Sequence, residues 1–271
     1  MKGSETAAVG VDVAKATLSV FLRAPDGTGE ALSLRNTEAD ASRLAGRLAG
    51  FTGRVVMEST GHYHWTAALA LSAAGLDVRV VNPLLAKKYT SGSVRMVKTD
   101  PADAAALARM AHVADDLPPR FAMDAERLNL RKKLTSAASA RTQLQALRAS
   151  LRHLAEARGT IHAPLSPAEA ALARAADALE AAVAAMEAEF AEAAAPSADP
   201  AAVAALDSIP GVTRLAALVA LHWFSPTRGP KSWVAYAGLD VSSRESGTWR
   251  GRCRLPKRGN PDLRRRLYSA A

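Results

Sequence analysis

The sequence predicts an α/β domain on a mixed sheet, then a long helical hairpin or coiled coil, then a small, mainly α C-terminal domain. Three observations carry this. Short β-branched runs alternate with amphipathic stretches over the first 115 residues. From about Asp124 to Arg158 the chain consists of helix formers without Gly or Pro. Beyond about residue 200 it turns basic and rich in Gly, Arg and Ser. The expected domains are therefore 1–115, 116–200 and 201–271.

The opening AAVGVDVAKATLSVFLRAPDGTGEALSLRN reads as a three-stranded meander, broken at Ala14-Lys15 and again at the PDGTG turn. TEADASRLAGRLAG has helical spacing behind a Thr37 cap, RVVMES is a short apolar strand, and HYHWTAALALSAAG is a helix ending at Gly75. DVRVVN supplies a further strand, and TDPADAAALARM opens the last helix, so the order is β-β-β-α-β-α-β-α. In the next segment Leu130, Leu134, Leu144, Leu147, Leu151 and Leu154 recur at helical intervals, which predicts one long amphipathic helix. GTIHAPLSP interrupts it, an Ala/Glu-rich stretch from about Ala168 to Ala194 returns as its partner, and APSADP reads as a linker. LDSIPGVTRLAALVALHW is then a short helix, a Pro-Gly turn and a second helix. It suits an ordinary helical hairpin or a helix-hairpin-helix whose turn amides approach a phosphate backbone.

The chain has 271 residues, 49% of them hydrophobic, enough to build real cores. No apolar run of about 18 residues occurs and the first residues lack the apolar middle of a signal peptide, so a cytoplasmic protein without a membrane partner is expected. Cys253 is the single cysteine, which removes internal disulfides and CxxC metal sites. The net charge of +9 points to an anionic partner. Its distribution is uneven: residues 206–271 hold 12 basic and 4 acidic side chains, whereas 160–205 hold 1 basic and 7 acidic.

Four carboxylates stand out: Asp12 in the first strand, Glu58 at the end of RVVMES, and Asp100 and Asp103 opening the last helix. Taken singly, Asp12 suits a strand-end turn, Glu58 a surface charge, and the aspartate pair a helix cap with Pro101 at the first helical position. Taken jointly, neighbouring first and fourth strands would converge Asp12 and Glu58 on one edge, and residues three apart share a helix face. Four such groups repel unless hard divalent ions relieve them, and two ions can drive phosphoryl transfer. This layout matches that of RNase H-like nucleases. The competing actin/sugar-kinase-like fold needs phosphate loops, and PDGTG reads as a hairpin turn instead.

The segments VGVDVAKATLSVFL, VMESTGHYHWTAALALSAAGLDVRVVNP, KTDPADAAALARM and IPGVTRLAALVA, with WVAYAGLD and RESGTWRGRCRLPKRGNPDLRRRLYSAA, closely resemble bacterial insertion-sequence transposases with a DEDD RuvC-like domain, relatives of the Piv DNA invertase. The resemblance spans nearly the whole chain and is weakest in the central helices. It implies an RNase H-like (RuvC-like) first domain and a site-specific DNA recombinase acting on donor and target DNA, guided by a structured, non-coding bridge RNA. By motif, Asp12, Glu58, Asp100 and Asp103 take the DEDD positions and would hold Mg²⁺ or Mn²⁺, two ions in all. The family serine falls on Ser246 in RESG, with Ser242 and Ser243 as alternatives, since Asp240-Val241 replaces the Thr/Ser-Pro pair of many members. The resemblance also implies a homo-oligomer, a dimer or tetramer, with the acidic site of one protomer facing the serine of another.

A serine hydroxyl needs a base or a metal to become a nucleophile at neutral pH. Arg250, Arg252, Arg254, Lys257 and Arg258 would neutralise phosphates, with Trp249 available for stacking. Arg95, Lys98, Lys87 and Lys88 are further expected phosphate or RNA contacts, while His62 and His64 read first as helix-start residues. Two other outcomes stay open: a metal-dependent, Holliday-junction-resolvase-like endonuclease using water in place of serine, and a nucleic-acid-binding short form without catalysis. The latter arises because RRRLYSAA stops within a helix where family members usually continue.

Overall fold

A computed structural model describes residues 1–2, 5–59, 61–90, 100–223, 229–241, 245–246, 249–251, 253, 255 and 259–270. Of residues 88, 90, 100, 245, 246, 249 and 250 it describes the backbone alone. The chain divides into two compact units, Met1–Leu128 and Asn129–Ala271. The sequence-based boundaries lay near 115 and 200.

The first unit is built on five strands: β1 (Ala8–Val13), β2 (Thr17–Arg23), β3 (Gly29–Arg35), β4 (Arg54–Glu58) and β5 (Asp77–Val81). Their order in the sheet is β3-β2-β1-β4-β5. The meander β1-β2-β3 is antiparallel, and β4 and β5 join parallel to β1. This mixed sheet fits the RNase H-like expectation. Its central strand β1 is almost wholly buried, as a strand covered on both faces must be, while the edge strand β3 alternates between exposed and half-buried residues.

Helices cover both faces. Val9, Val11, Val13, Val55 and Met57 share one core with Ala41 and Leu44 of α1 (Glu38–Arg47) and Ala67, Ala68 and Leu71 of α2 (Trp65–Ala73). On the other face Ala8, Val56 and Val81 pack with Leu107, Met110 and Ala111 of α4 (Asp100–Val113), and with Ala86 of α3 (Pro83–Thr90). Helix α3 was not expected from periodicity. Its signal is the Asn-Pro pair: the Asn82 side chain accepts from the Leu85 N–H at 2.7 Å, and Pro83 sits first in the helix.

Two long helices follow, α5 (Ala125–Thr160) and α6 (Pro167–Ala194), close to the expected spans. Ser166 starts α6 with a capping box, its hydroxyl accepting from the Glu169 N–H while the Glu169 carboxylate accepts from the Ser166 N–H. Ion pairs Lys133–Glu189 (2.6 Å), Arg141–Glu187 (2.5 Å), Arg148–Glu180 (2.7 Å) and Arg158–Glu169 (3.5 Å) set the two helices antiparallel, forming a helical hairpin. The expected APSADP linker is a capped connection instead. Ala195–Ser197 makes a 3₁₀ turn, Asp199 caps α7 (Pro200–Asp207), and Phe190, Ala194, Val203, Leu218 and Val219 form one core with Leu130 and Leu134. The remaining helices among the described residues are α8 (Arg214–Trp223), α9 (Pro230–Ala237) and α10 (Pro261–Ala270), and β6 (Glu245–Ser246) pairs antiparallel with β7 (Trp249–Arg250). Among the described residues no helix is long and apolar enough to cross a membrane.

Candidate metal centre and nucleic-acid interface

Asp12 is the penultimate residue of β1 and Glu58 the last of β4. The two strands run parallel through the register pairs Ala8↔Arg54 to Val11↔Met57, so both acids come one step after the last pair, at the same edge of the sheet. Side chains two apart in a strand share a face, which places Asp12 with Gly10 and Glu58 with Val56. That is the α4 face, because a Cβ at Gly10 would lie 2.1 Å from the Ala104 carbonyl oxygen and 2.3 Å from the Ala108 nitrogen. Only a residue without a side chain lets α4 lie this close, so the Gly in VGVD marks a close backbone approach.

The direction of α4 follows from its far end. Arg54, at the start of β4, donates from Nη1 to the Ala114 carbonyl at 2.6 Å and from Nη2 to the His112 carbonyl at 3.2 Å. The C-terminus of α4 thus sits at the beginning of β4, and its first turn at the end where β1 and β4 finish. Asp103 lies one helical turn before the buried Leu107, on the packed side. The fold therefore brings Asp12, Glu58 and Asp103, all half-buried, to one face and one edge, with the Asp100 backbone in the same helical turn.

The donor chemistry suits Mg²⁺ or Mn²⁺, since these ions take oxygen ligands. Among the described residues no three His, Cys, Asp or Glu side chains form a group close enough to hold a metal ion, and the Asp100 side chain lies outside the description. At this edge each acid-bearing strand continues along its outer neighbour. β1 stays paired with β2 as far as Val13↔Leu18 and on to Ala14 N–H donating to the Thr17 carbonyl at 2.9 Å. β4 stays paired with β5 to Glu58↔Val81, and the Ser59 N–H donates to the Val81 carbonyl at 2.8 Å. The β1–β4 register, by contrast, ends at Val11↔Met57.

His62 and His64 lie in the turn that precedes α2, as expected of helix-start residues. His64 is buried, and the His62 ring is 4.7 Å from that of Tyr63 and 6.0 Å from that of Trp65. Lys87 is exposed on α3.

In the second unit Ser246 is in β6, paired with Trp249, and Glu245 is paired with Arg250. The side chains of Ser246, Trp249 and Arg250 lie outside the description, as do Arg95, Lys98, Ser242, Ser243, Arg252, Arg254, Lys257 and Arg258 entirely. Cys253 is exposed.

What holds the ends of this stretch is described. Gly238, at φ 70°, closes α9: its N–H donates to the Ala235 carbonyl at 2.9 Å and the Leu239 N–H to the Val234 carbonyl at 3.0 Å. The next two carbonyls of α9 are taken from the other side, Tyr236 by the Asn260 N–H at 2.8 Å and Ala237 by Arg264 Nη1 at 3.2 Å. Both ends of the 239–259 segment are thus pinned to one helix terminus. Helix α10 is fixed in turn by Asn260, whose side chain accepts from the Asp262 and Leu263 N–H groups, and by Arg266, which reaches Glu187 of α6 at 2.6 Å and Asp262 at 3.2 Å. Burial pushes the Glu187 carboxyl up, but hydrogen bonds and charge from Arg266 and Arg141 outweigh it and leave it below the usual glutamate value. The Asn260-Pro261 pair was a legible cap signal in the sequence; the Arg266–Glu187 partnership, 79 residues apart, was not.

Residues 9–158, more than half of the chain, match the IS110-type DEDD family model described as "Transposase". Residues 203–271 match "Transposase IS116/IS110/IS902 family". No curated protein matches the chain. Among solved structures, RuvC of T. thermophilus in complex with a Holliday junction substrate is 16% identical, with a TM-score of 0.28 over 37% of this chain and 88% of that one. A Thermus thermophilus RuvC structure is 17% identical, with a TM-score of 0.29 over 41% and 98%. Likenesses this distant add nothing to what the strand order establishes.

Proposed function

This chain belongs to the IS116/IS110/IS902 transposase family, and from that premise we propose that it is an RNA-guided DNA recombinase whose serine nucleophile works with a divalent-metal site on the first unit. One observation supports this most: Asp12, Glu58 and the first turn of α4 share one face at one edge of the sheet. Asp12, Glu58, Asp100 and Asp103 are the residues that would hold two Mg²⁺ or Mn²⁺ ions. Bound there, the ions would supply Lewis-acid charge to lower the proton affinity of a hydroxyl and to neutralise a crowded phosphate.

The chain's own chemistry is then a transesterification. Ser246 Oγ loses its proton and bonds to the phosphorus, the bond from phosphorus to a deoxyribose oxygen breaks, and that oxygen leaves as a hydroxyl. The phosphoserine diester conserves the bond, so a second sugar hydroxyl can displace the serine and rejoin the strand. Arg250, Arg252, Arg254, Lys257 and Arg258 would bind the DNA or guide-RNA backbone, Trp249 would stack on a base, and Arg95 and Lys98 would add phosphate contacts. A dimer or tetramer, with the acidic edge of one copy serving the serine of another, completes the proposal.

The test incubates the purified chain with element-end DNA, the structured RNA transcribed beside its gene, and Mg²⁺, and resolves products on denaturing gels. A protein–DNA adduct is expected, absent in Ser246→Ala and in Asp12→Asn. Cleavage that survives Ser246→Ala with no adduct in either protein would overturn the serine mechanism in favour of hydrolysis by water. An adduct retained in Ser246→Ala but lost in Ser242→Ala or Ser243→Ala would move the nucleophile.

A further inference from the structure

We propose that Asn36 is a positioning residue for the acidic edge, setting the separation of the two strands that carry Asp12 and Glu58. This rests on the metal-site reading above. The β1–β4 register ends at Val11↔Met57, one residue short of both acids, while each strand continues along its outer neighbour. The β1–β4 ladder carries its last backbone hydrogen bonds at the acids themselves, and the two exits beyond them are joined by other contacts. Two carboxylates brought to one site repel, and a metal ion needs their spacing held to within a fraction of an ångström.

Asn36 joins the two exits. It follows β3, and its backbone N–H already donates to the Ala16 carbonyl in the β1–β2 turn at 2.9 Å. Its side-chain Nδ2 donates twice: to the Ala14 carbonyl, two residues beyond Asp12, at 3.0 Å, and to the Tyr63 carbonyl, in the turn that follows Glu58, at 2.9 Å. One amide nitrogen thus ties the exit of β1 to the exit of β4. The orientation is chemically determined, because both partners are carbonyl oxygens and accept only, so the donor end must face them. Oδ1 is buried and accepts no hydrogen bond among the described residues. The donor nitrogen therefore carries the connection.

Close substitutes lose the double donor. Asp at 36 has nearly the same shape but would turn a carboxylate oxygen toward two carbonyl oxygens. Ala removes the link, and Ser keeps at most a single donor.

The test measures Mn²⁺ binding to the full chain from the electron paramagnetic resonance signal of the free ion, alongside thermal melts. Asn36→Ala and Asn36→Asp are each expected to weaken Asp12-dependent binding by about tenfold, the low end for groups that orient metal ligands, with Asn36→Ser in between. Thr28→Ala is the control: it removes a 2.7 Å side-chain bond to Asp26 in the turn at the opposite end of β2. Unchanged affinity in the Asn36 variants, or an equal loss in Thr28→Ala, would overturn the positioning role. Absence of any Mn²⁺ binding that Asp12→Asn removes from the parent protein would overturn the metal-site reading instead.

Discussion

The Arg54 guanidinium lies 2.6 Å from the carbonyl oxygen of Ala114, so the first residue of β4 holds the far end of the helix that begins with Asp100 and Asp103. The charge also complements the negative end of the α4 dipole. Arg54→Ala is expected to cost about 1.5 kcal/mol of stability, the loss of a charge-assisted hydrogen bond, and to speed amide exchange in the last turn of α4. Arg54→Lys should recover part of it, since Lys keeps the charge without the fork. A urea midpoint unchanged in Arg54→Ala would remove the anchoring role.

Gly10 sets the distance between β1 and α4. A methyl group there would have to displace the Ala104 carbonyl and the Ala108 nitrogen, both backbone atoms 2.1–2.3 Å away. Gly10→Ala should therefore lower stability by about 3 kcal/mol, the upper range for overpacking, and weaken Mn²⁺ binding as the first turn of α4 moves away. Full retention of both stability and binding would show that α4 can shift at no cost and would contradict the close approach.

Glu187 ties α10 to the helical hairpin. Its carboxyl is held below the usual value of 4.5 chiefly by Arg266 and Arg141 against the opposing effect of burial, so its contribution is present above about pH 4.5 and is lost as pH falls through the lowered value. Glu187→Gln leaves the buried Arg266 and the half-buried Arg141 guanidinium groups short of a counter-charge and should cost about 3 kcal/mol at neutral pH, the low end for breaking a buried pair, because Arg266 keeps Asp262. The gap between parent and variant in urea denaturation should shrink as the pH drops below 4.5. A gap that stays constant down to acid pH would place the loss in packing rather than charge.

Much of the architecture was legible locally. The alternation in TLSVFLR, the Thr37 cap, the turn glycine Gly75 and the Gly-free run after Asp124 each act within a few residues, and the corresponding elements form close to their expected bounds. Helix α3 was missed because its single cap signal, Asn82-Pro83, sits in a stretch with little periodicity. APSADP read as a linker from composition alone, whereas the N-cap Asp199 and the core residues Ala194 and Val203 on either side make it a tight connection. At the candidate site, each acid was visible as a residue type at a strand end or helix start. The groups that place those acids were not visible: Asn36 acts on Ala14 and Tyr63, and Arg54 on Ala114, across 22 to 60 residues.

The sequence by itself determined most of the elements, the charge asymmetry and the four acids, because helix caps, turn residues and side-chain periodicity depend on neighbours in the chain. Only the tertiary structure decided that β1 and β4 lie side by side, that Asp12 and Glu58 turn toward the α4 face, and that α4 runs so that its first turn meets them. Those facts depend on strand order, on the absence of a side chain at Gly10 and on the Arg54 contact at the far end of the helix. Each joins residues that no local rule relates.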